Sequence, residues 1–587
     1  MRKIPRLNIG IFLISILLLS TGGCGGSKYV IPTAHLTPAQ LSDFEHTSFT
    51  GKWGGAFVDA TISDPRTFNP ITTKESSSSV AWGPLFTGLI ARNPLTLKIE
   101  PELAKRWTQS ANGLVWTFYL RRGLLWSDGQ PLTAHDVVFT LDVIFDTTIA
   151  TTLRTGMLVN GQPWKVAAIN STTVQITLPS QFGSFLTVVG VPIVPAHILE
   201  PLWKHGKFNS AWGVNTPVSN LVGNGPFCLA HYSPGASLTY VRNPYYWKLA
   251  KNGRQLPFLK GGVIEIVPNE NTEILKFIAR ETDWVSIRPE DWEVLENLRR
   301  TNNFSLYNLG PTWATGFIEF NMNSDDHNLP AWKRKIFSNK IFRQAISFAL
   351  NRKLMASTVL RGFGQPLYGY IPPANKLFYN PKIPTYPYNP AKSIELLKSI
   401  GLTFHNGVLE DAQGNAVQFT LTTNSGNNLR AQTCAIIQAE LKQIGIEVNI
   451  SLVDFNSLVS RLDGSHDWDA ILLGFTGGVD PHTASAIWMT TGPLHEWDLN
   501  QKTPATKWEA KIDKLFTEAA DTESLQKQID LYNQFQVIAS TELPLIYTTD
   551  PDSLVAVRNT LHNAEPSSLA DSNGDPVGWR LYAIWKS

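Results

Sequence analysis

Cysteine is almost absent from this chain, with three residues in 587. That excludes a disulfide-stapled scaffold and a multi-finger zinc protein. An excess of either charge is missing too. Fifty Lys and Arg stand against 48 Asp and Glu, a formal net charge of +2, so no nucleic-acid partner is suggested. Fixed-period repeats and low-complexity blocks are absent, and 43% hydrophobic against 17% charged residues is too apolar for a disordered chain. The sequence holds no His-Glu-x-x-His, no Cys-x-x-Cys, no Gly-x-Ser-x-Gly and no phosphate-loop Gly-Lys-Ser/Thr. Its twelve histidines are scattered. His135 and His197 read as structural or surface residues, and His482 and His495 have no carboxylate–His pattern beside them. No metal site, no cofactor and no catalytic residue is indicated. What is plentiful is aromatic surface: 19 Trp and 11% Phe, Tyr and Trp. Rings in such number fill a core or line a binding surface. The length exceeds the roughly 250–300 residues at which a single core stops growing, so more than one domain is expected.

The start of the chain has its own pattern. Arg2, Lys3 and Arg6 precede an apolar run over residues 9–19, and Ser20-Thr21-Gly22-Gly23-Cys24 follows. A basic start, a short apolar stretch and small residues read as an export signal. Eleven helical residues rise about 16 Å, too little for a hydrocarbon core of about 30 Å. The segment ending at Cys24 resembles a bacterial lipobox, with Thr21 where Leu is usual. It implies a lipidated Cys24; the alternatives are ordinary cleavage with a free Cys24, or an uncleaved anchor. Removing residues 1–23 takes away three basic residues and no acid, leaving 47 against 48 and a net charge of −1. Residues 24–50, rich in Gly, Ser, Thr and Pro, read as a flexible tether. Cys228 and Cys434 read as buried small hydrophobes.

The body mixes α and β patterns. Val115-Trp116-Thr117-Phe118-Tyr119-Leu120 is a strand signal entered by the turn Asn112-Gly113. Thr133 is placed to cap a helix, with Asp136 completing a capping box and Val137, Val138, Leu141 and Ile144 forming its apolar face. Helices are expected over residues 341–350, 390–400 and 429–444, the last two stopped by Gly401 and Gly445. Strands are expected over 174–178, 237–241, 446–450 and 469–475. Helix, Gly, strand in succession gives an α/β fold class.

Trp116-Thr117-Phe118-Tyr119-Leu120-Arg121-Arg122-Gly123 and Trp126-Ser127-Asp128-Gly129-Gln130-Pro131-Leu132-Thr133-Ala134-His135-Asp136-Val137 closely resemble the signature of family 5 extracellular solute-binding proteins. Further stretches are similar in order along the chain: Pro192-Ile193-Val194-Pro195-Ala196-His197-Ile198, Asn224-Gly225-Pro226-Phe227, Arg242-Asn243-Pro244-Tyr245-Tyr246-Trp247, and Arg343-Gln344-Ala345-Ile346-Ser347-Phe348-Ala349-Leu350-Asn351-Arg352. The resemblance covers about residues 53–550. It implies a two-lobed clamshell that delivers ligand to the permease of an ABC importer. Lobe I would span 51–310 with an extra subdomain near 91–189, lobe II 311–544, and 545–587 would return to lobe I. Such a protein would be a monomer held at the outer face of the bacterial membrane.

The same resemblance bears on the ligand. In peptide-binding members an Asp shortly before a Pro pairs with the ligand's α-amine. The matching stretch is Gly474-Phe475-Thr476-Gly477-Gly478-Val479-Asp480-Pro481, with Gly477 or Gly478 where that Asp would be and Asp480 nearer the Pro. Oligopeptide is the first expectation and oligosaccharide the alternative, since sugars stack on Trp. A nickel chelate lacks a His/Cys cluster, and a secreted glycosidase would need two cleft carboxylates. Candidate ligand-binding residues are Phe68, Asn69, Phe320, Asn321, Phe475, Gly478, Asp480, Trp488 and Trp497. Trp82, Trp284, Trp313 and Trp468 are further cleft candidates.

Overall fold

A computed structural model describes residue 37, residues 41–323 and residues 328–587. Cys24, the apolar run before it and most of the expected tether lie outside the described residues. Residues 41–50, which the sequence assigns to that tether, are docked. Glu45–His46 pairs in parallel with Lys248–Leu249, Phe44 is buried, and Asp43 and Glu45 bind Lys105 at 2.7 Å and Arg121 at 2.9 Å. The buried Phe and the two ion pairs hold a stretch whose composition alone reads as a spacer.

Lobe I is built on a four-stranded sheet in the order Phe57–Thr61, Gly261–Ile266, Ser237–Arg242, Phe227–Ser233. A second four-stranded sheet, Ala104–Gln109, Val115–Leu120, Thr173–Thr177 and Lys165–Asn170, forms the inserted subdomain. Val115–Leu120 buries alternate residues, Trp116, Phe118 and Leu120 facing inward, as a strand with one covered face does. The helix Ala134–Phe145 packs on the neighbouring strands Lys165–Asn170 and Thr173–Thr177, and both hydrogen bonds of the Thr133–Asp136 capping box are made.

Lobe II carries a five-stranded sheet in the order Glu447–Val453, Gln418–Asn424, Ala470–Phe475, Thr315–Phe320, Leu545–Tyr547. Its inner strand Ala470–Phe475 starts with four buried residues in a row, as expected of a strand covered on both faces. Helices Lys340–Ala349, Asn428–Gln443, Lys507–Ala520 and Leu525–Glu542 pack against it. Gly401 and Gly445 follow two of the lobe's helices with φ of +87° and +76°, a conformation in which a side chain is strained.

Each lobe has its own apolar core. A further sheet of Trp284–Ser286, Thr549–Arg558 and Phe304–Pro311 sets Trp284, Val555 and Val557 in the lobe I core and Val285, Phe304, Leu554 and Ala556 in a smaller cluster of its own. The chain passes from this sheet into lobe II between Pro311 and Thr315, and returns between Tyr547 and Thr549. Leu545–Tyr547 belongs to lobe II, pairing with Thr315–Phe320, so the return begins after Tyr547 and not at 545. The two crossings run side by side: Thr548 N–H donates to the Gly316 carbonyl at 3.0 Å, and Thr312 N–H to the Pro551 carbonyl at 3.0 Å. Cys228 lies in a lobe I strand and Cys434 in a lobe II helix, both buried. Among the described residues no helix is long and apolar enough to cross a membrane.

Candidate functional site

A cavity of ≈ 570 Å³ lies where the two lobes face each other. A second of ≈ 430 Å³ adjoins it, the two sharing Ser76, Phe455 and the segment 473–476. Lobe I contributes residues 73–76 and the helix Ser76–Trp82, together with segments 152–157 and 187–192 of the inserted subdomain and its neighbour. Lobe II contributes the end of the strand Ala470–Phe475, the loop after it, the helix Phe455–Ser460 and Glu496. Much of the wall is apolar: Trp82, Leu153, Met157, Val188, Phe455 and Phe475. A concave apolar surface with a few polar groups is what a binding site for an organic ligand requires.

Several contacts bridge the lobes around this cavity. Lys74 Nζ meets Asp463 Oδ2 at 3.2 Å, Arg66 donates to Ser460 Oγ at 3.3 Å, and Asn456 Nδ2 donates to the Asp64 carbonyl at 3.3 Å. On another side His482 Nε2 lies 2.9 Å from the Gly156 carbonyl, and Phe182 packs edge-on against the His482 ring. Burial pushes the His482 imidazole pKa down, which keeps it neutral at that contact.

The loop at the end of the inner strand is glycine-rich because the backbone passes close to its neighbours. A Cβ on Gly477 would stand 1.7 Å from the Trp313 carbonyl oxygen, and one on Gly478 would stand 2.6 Å from Thr483 Oγ1. An acidic side chain has no room at either place without movement of a neighbour.

The structure distributes the sequence candidates unevenly. Phe475 and Gly478 line the main cavity, as does Trp82. Phe475 is braced by Phe317, ring centroids 4.9 Å apart, and the Trp82 indole donates to Thr73 Oγ1 at 2.9 Å. Phe68 and Asn69 are buried away from the cavity. Phe68 packs edge-on against Tyr232, while Asn69 Oδ1 accepts from Ile71 N–H at 3.0 Å to shape the turn. Phe320 sits in the lobe II core among Phe337, Phe342 and Phe419. Asn321 Nδ2 donates to the Trp468 carbonyl at 2.9 Å, tying two chain segments together. Asp480 caps the turn Pro481–Ala484, its Oδ1 accepting from His482 N–H at 2.9 Å, and is not part of the cavity wall. Trp488 and Trp497 are both 1% exposed and pack on each other, centroids 5.4 Å apart. Trp284 and Trp468 are also core residues, and Trp313 lines a small recess beside Gly477.

Sequence reasoning misses Lys74, Ser76, Ser79, Phe455 and Glu496, all of which line the cavity. None belongs to a motif. Glu496 is buried, and its carboxyl is pushed up to about 8 by that burial and by Asp463, with Lys74 opposing. Among the described residues no group of three or more His, Cys, Asp or Glu is placed to hold a metal ion.

Comparison with known proteins fits this geometry. The model of the bacterial extracellular solute-binding proteins, family 5 (middle region) matches residues 98–495. A protein of Deinococcus radiodurans named "Probable ABC transporter-binding protein" is 32% identical over 447 residues, covering 72% of this chain and 74% of that one. The oligopeptide-binding protein AppA of Bacillus subtilis, solved with a nonapeptide, superposes with a TM-score of 0.77 at 22% identity, covering 92% of this chain and all of that one. The periplasmic binding protein MelB of Agrobacterium fabrum C58, solved with stachyose, superposes with a TM-score of 0.78 at 20% identity, covering 93% of this chain and 86% of that one.

Proposed function

The chain belongs to the bacterial extracellular solute-binding proteins of family 5, and we propose that it captures oligopeptides between its two lobes for delivery to an ABC-type membrane permease. The observation that carries this is the inter-lobe cavity, walled by both lobes, which two adjacent chain crossings join. Crossings of this kind allow closure by a hinge, with the ligand enclosed at the interface. Its role is capture and release; no step of bond chemistry is assigned to it. The shared fold with a nonapeptide-bound protein supports a peptide ligand.

An oligosaccharide is the second reading. A stachyose-bound protein shares the fold, and Trp82 and Phe475 supply the aromatic surface on which a sugar could rest. Thermal-shift measurements on the purified protein with short peptides and with stachyose separate the two. A rise in melting temperature with peptides and none with stachyose is expected, and the reverse refutes the peptide reading. We further propose that Cys24 carries a lipid anchoring the protein outside the cytoplasmic membrane. Mass analysis of the N-terminal fragment tests this, an unmodified Cys24 being the refuting result.

A further inference from the structure

Lobe I gathers positive charge where the chain enters the fold. Three segments meet there: residues 46–55, the loop 248–260 and residues 579–587. The first carries Lys52, the second Lys248, Lys251, Arg254 and Lys260, the third Arg580 and Lys586, and none of them holds an Asp or Glu. Backbone hydrogen bonds lay the segments side by side. Thr47 N–H donates to the Leu249 carbonyl at 2.8 Å, Lys251 N–H to the Phe49 carbonyl at 2.9 Å, and Lys260 N–H to the Gly55 carbonyl at 3.1 Å. Phe258 N–H reaches the third segment, donating to the Tyr582 carbonyl at 3.4 Å.

Acids from elsewhere engage three of these cations. Glu102 meets Lys248 at 2.7 Å, Glu565 meets Arg580 at 2.5 Å and Asp283 meets Lys586 at 2.8 Å. Lys52, Lys251, Arg254 and Lys260 are exposed, and among the described residues they make no ion pair. Two of them stand over half-buried tryptophans: Lys52 Nζ is 5.4 Å from the Trp585 ring centre, and the Arg254 guanidinium is 4.2 Å from that of Trp53. Arg242 adds to the group, its guanidinium donating to the Phe258 carbonyl at 3.2 Å. Burial and the like charge of Arg254 lower its pKa, as happens where cations gather without acids. Residues 251–254 form an exposed turn, closed by Ala250 N–H donating to the Arg254 carbonyl at 2.8 Å. Lys251 and Arg254 thus sit on a turn that stands out from the lobe.

We propose that this face of lobe I lies on an anionic phospholipid surface and so orients the clamshell at the membrane. The proposal rests on the reading of Cys24 as a lipid anchor and adds the direction that an anchor alone does not give. Residues 24–40 extend to at most about 60 Å, and a leash of that length does not choose which way the lobes face. Attraction to surface charge falls off within about 8 Å at physiological salt, so it acts only on a face that touches. The stretch from Cys24 to Ser42 holds Lys28 and no Asp or Glu, so nothing in it repels an anionic surface. It leads directly to the cationic face, since His46 pairs with Leu249, two residues before Lys251. Trp beside Lys and Arg is also the combination suited to the boundary between headgroups and water. From Cys24 onward the chain carries 47 basic against 48 acidic residues, so the attraction belongs to this face and not to the protein at large.

The test is co-sedimentation of the full-length chain with vesicles, using Cys24→Ser so that no lipid contributes. One set of vesicles is phosphatidylcholine, and in the other phosphatidylglycerol replaces a third of it. Binding to the anionic vesicles should be about ten-fold or more tighter than to the neutral ones, and the difference should vanish at high salt. Reversing the turn with Lys251→Glu and Arg254→Glu should remove most of the difference and leave binding to neutral vesicles unchanged. A second pair, Lys52→Glu and Lys260→Glu, should act in the same way, so one variant that misfolds does not block the test. Equal binding of both vesicle types by the Cys24→Ser chain overturns the proposal and leaves the face to an acidic protein partner. A preference that survives both pairs of reversals also overturns it, since the attraction then comes from other cations such as Arg2, Lys3 and Arg6. The anchor has its own readout: an unmodified Cys24 by mass analysis refutes lipidation, whereas the vesicle comparison decides the face without it.

Discussion

Trp82 and the pair Trp488 and Trp497 lie near the same cleft, yet they do different work. Trp82 ends a short lobe I helix, is half-buried and lines the cavity. Trp488 packs against Phe535 at 4.9 Å and Tyr370 at 5.6 Å, and Trp497 against the His495 ring at 4.0 Å. Tyr370 stands between the two regions, since it also lines the cavity. The aromatic block beneath the wall is thus a support, and rings such as Tyr370 and Phe475 reach the cavity from it. The difference shows why a high Trp count says little about ligand chemistry: most of these rings are structural.

Substitutions test this division between wall and support. Trp488→Ala should cost about 3–5 kcal/mol of stability, the range for emptying a large core site, as read by urea unfolding. Gly477→Val should cost about 1–3 kcal/mol, since its side chain meets the Trp313 carbonyl, and should weaken ligand binding because the loop forms part of the wall. Trp82→Ala should behave the other way round. Its stability loss should be less than half that of Trp488→Ala, while ligand affinity falls about ten-fold, or about 1.4 kcal/mol, by calorimetry. Equal stability losses at the two positions, or unchanged affinity in Trp82→Ala, would erase the distinction. The smallest effect is expected for Lys74→Ala. Its ion pair with Asp463 spans the lobes with both side chains partly exposed, so about 1 kcal/mol or less is at stake. Affinity should drop a few-fold with little change in melting temperature.

Much of the fold is legible in the sequence because its signals are local. The Thr133–Asp136 capping box, the alternating strand Val115–Leu120 and the helix stops at Gly401 and Gly445 are all where pattern places them. The family is legible too, since its signature stretches recur in order. The site is less so. Phe475 and Gly478 sit in a recognisable loop, but Glu496 and Lys74 have no pattern of their own and meet only when the lobes come together. Trp488 and Trp497 follow that loop closely in sequence, yet the chain turns inward there and buries them. Residues 41–50 have the composition of a spacer, and their docking depends on partners at 105, 121 and 248. In each case the deciding contact is distant along the chain.

Oligopeptides should bind in the cavity between the lobes. The decisive measurement is a crystal structure of the protein grown with an oligopeptide. Peptide density is expected between Trp82 on one side and Phe455 and Phe475 on the other. Peptide bound elsewhere, or a cavity that excludes peptide and accepts stachyose, would contradict it.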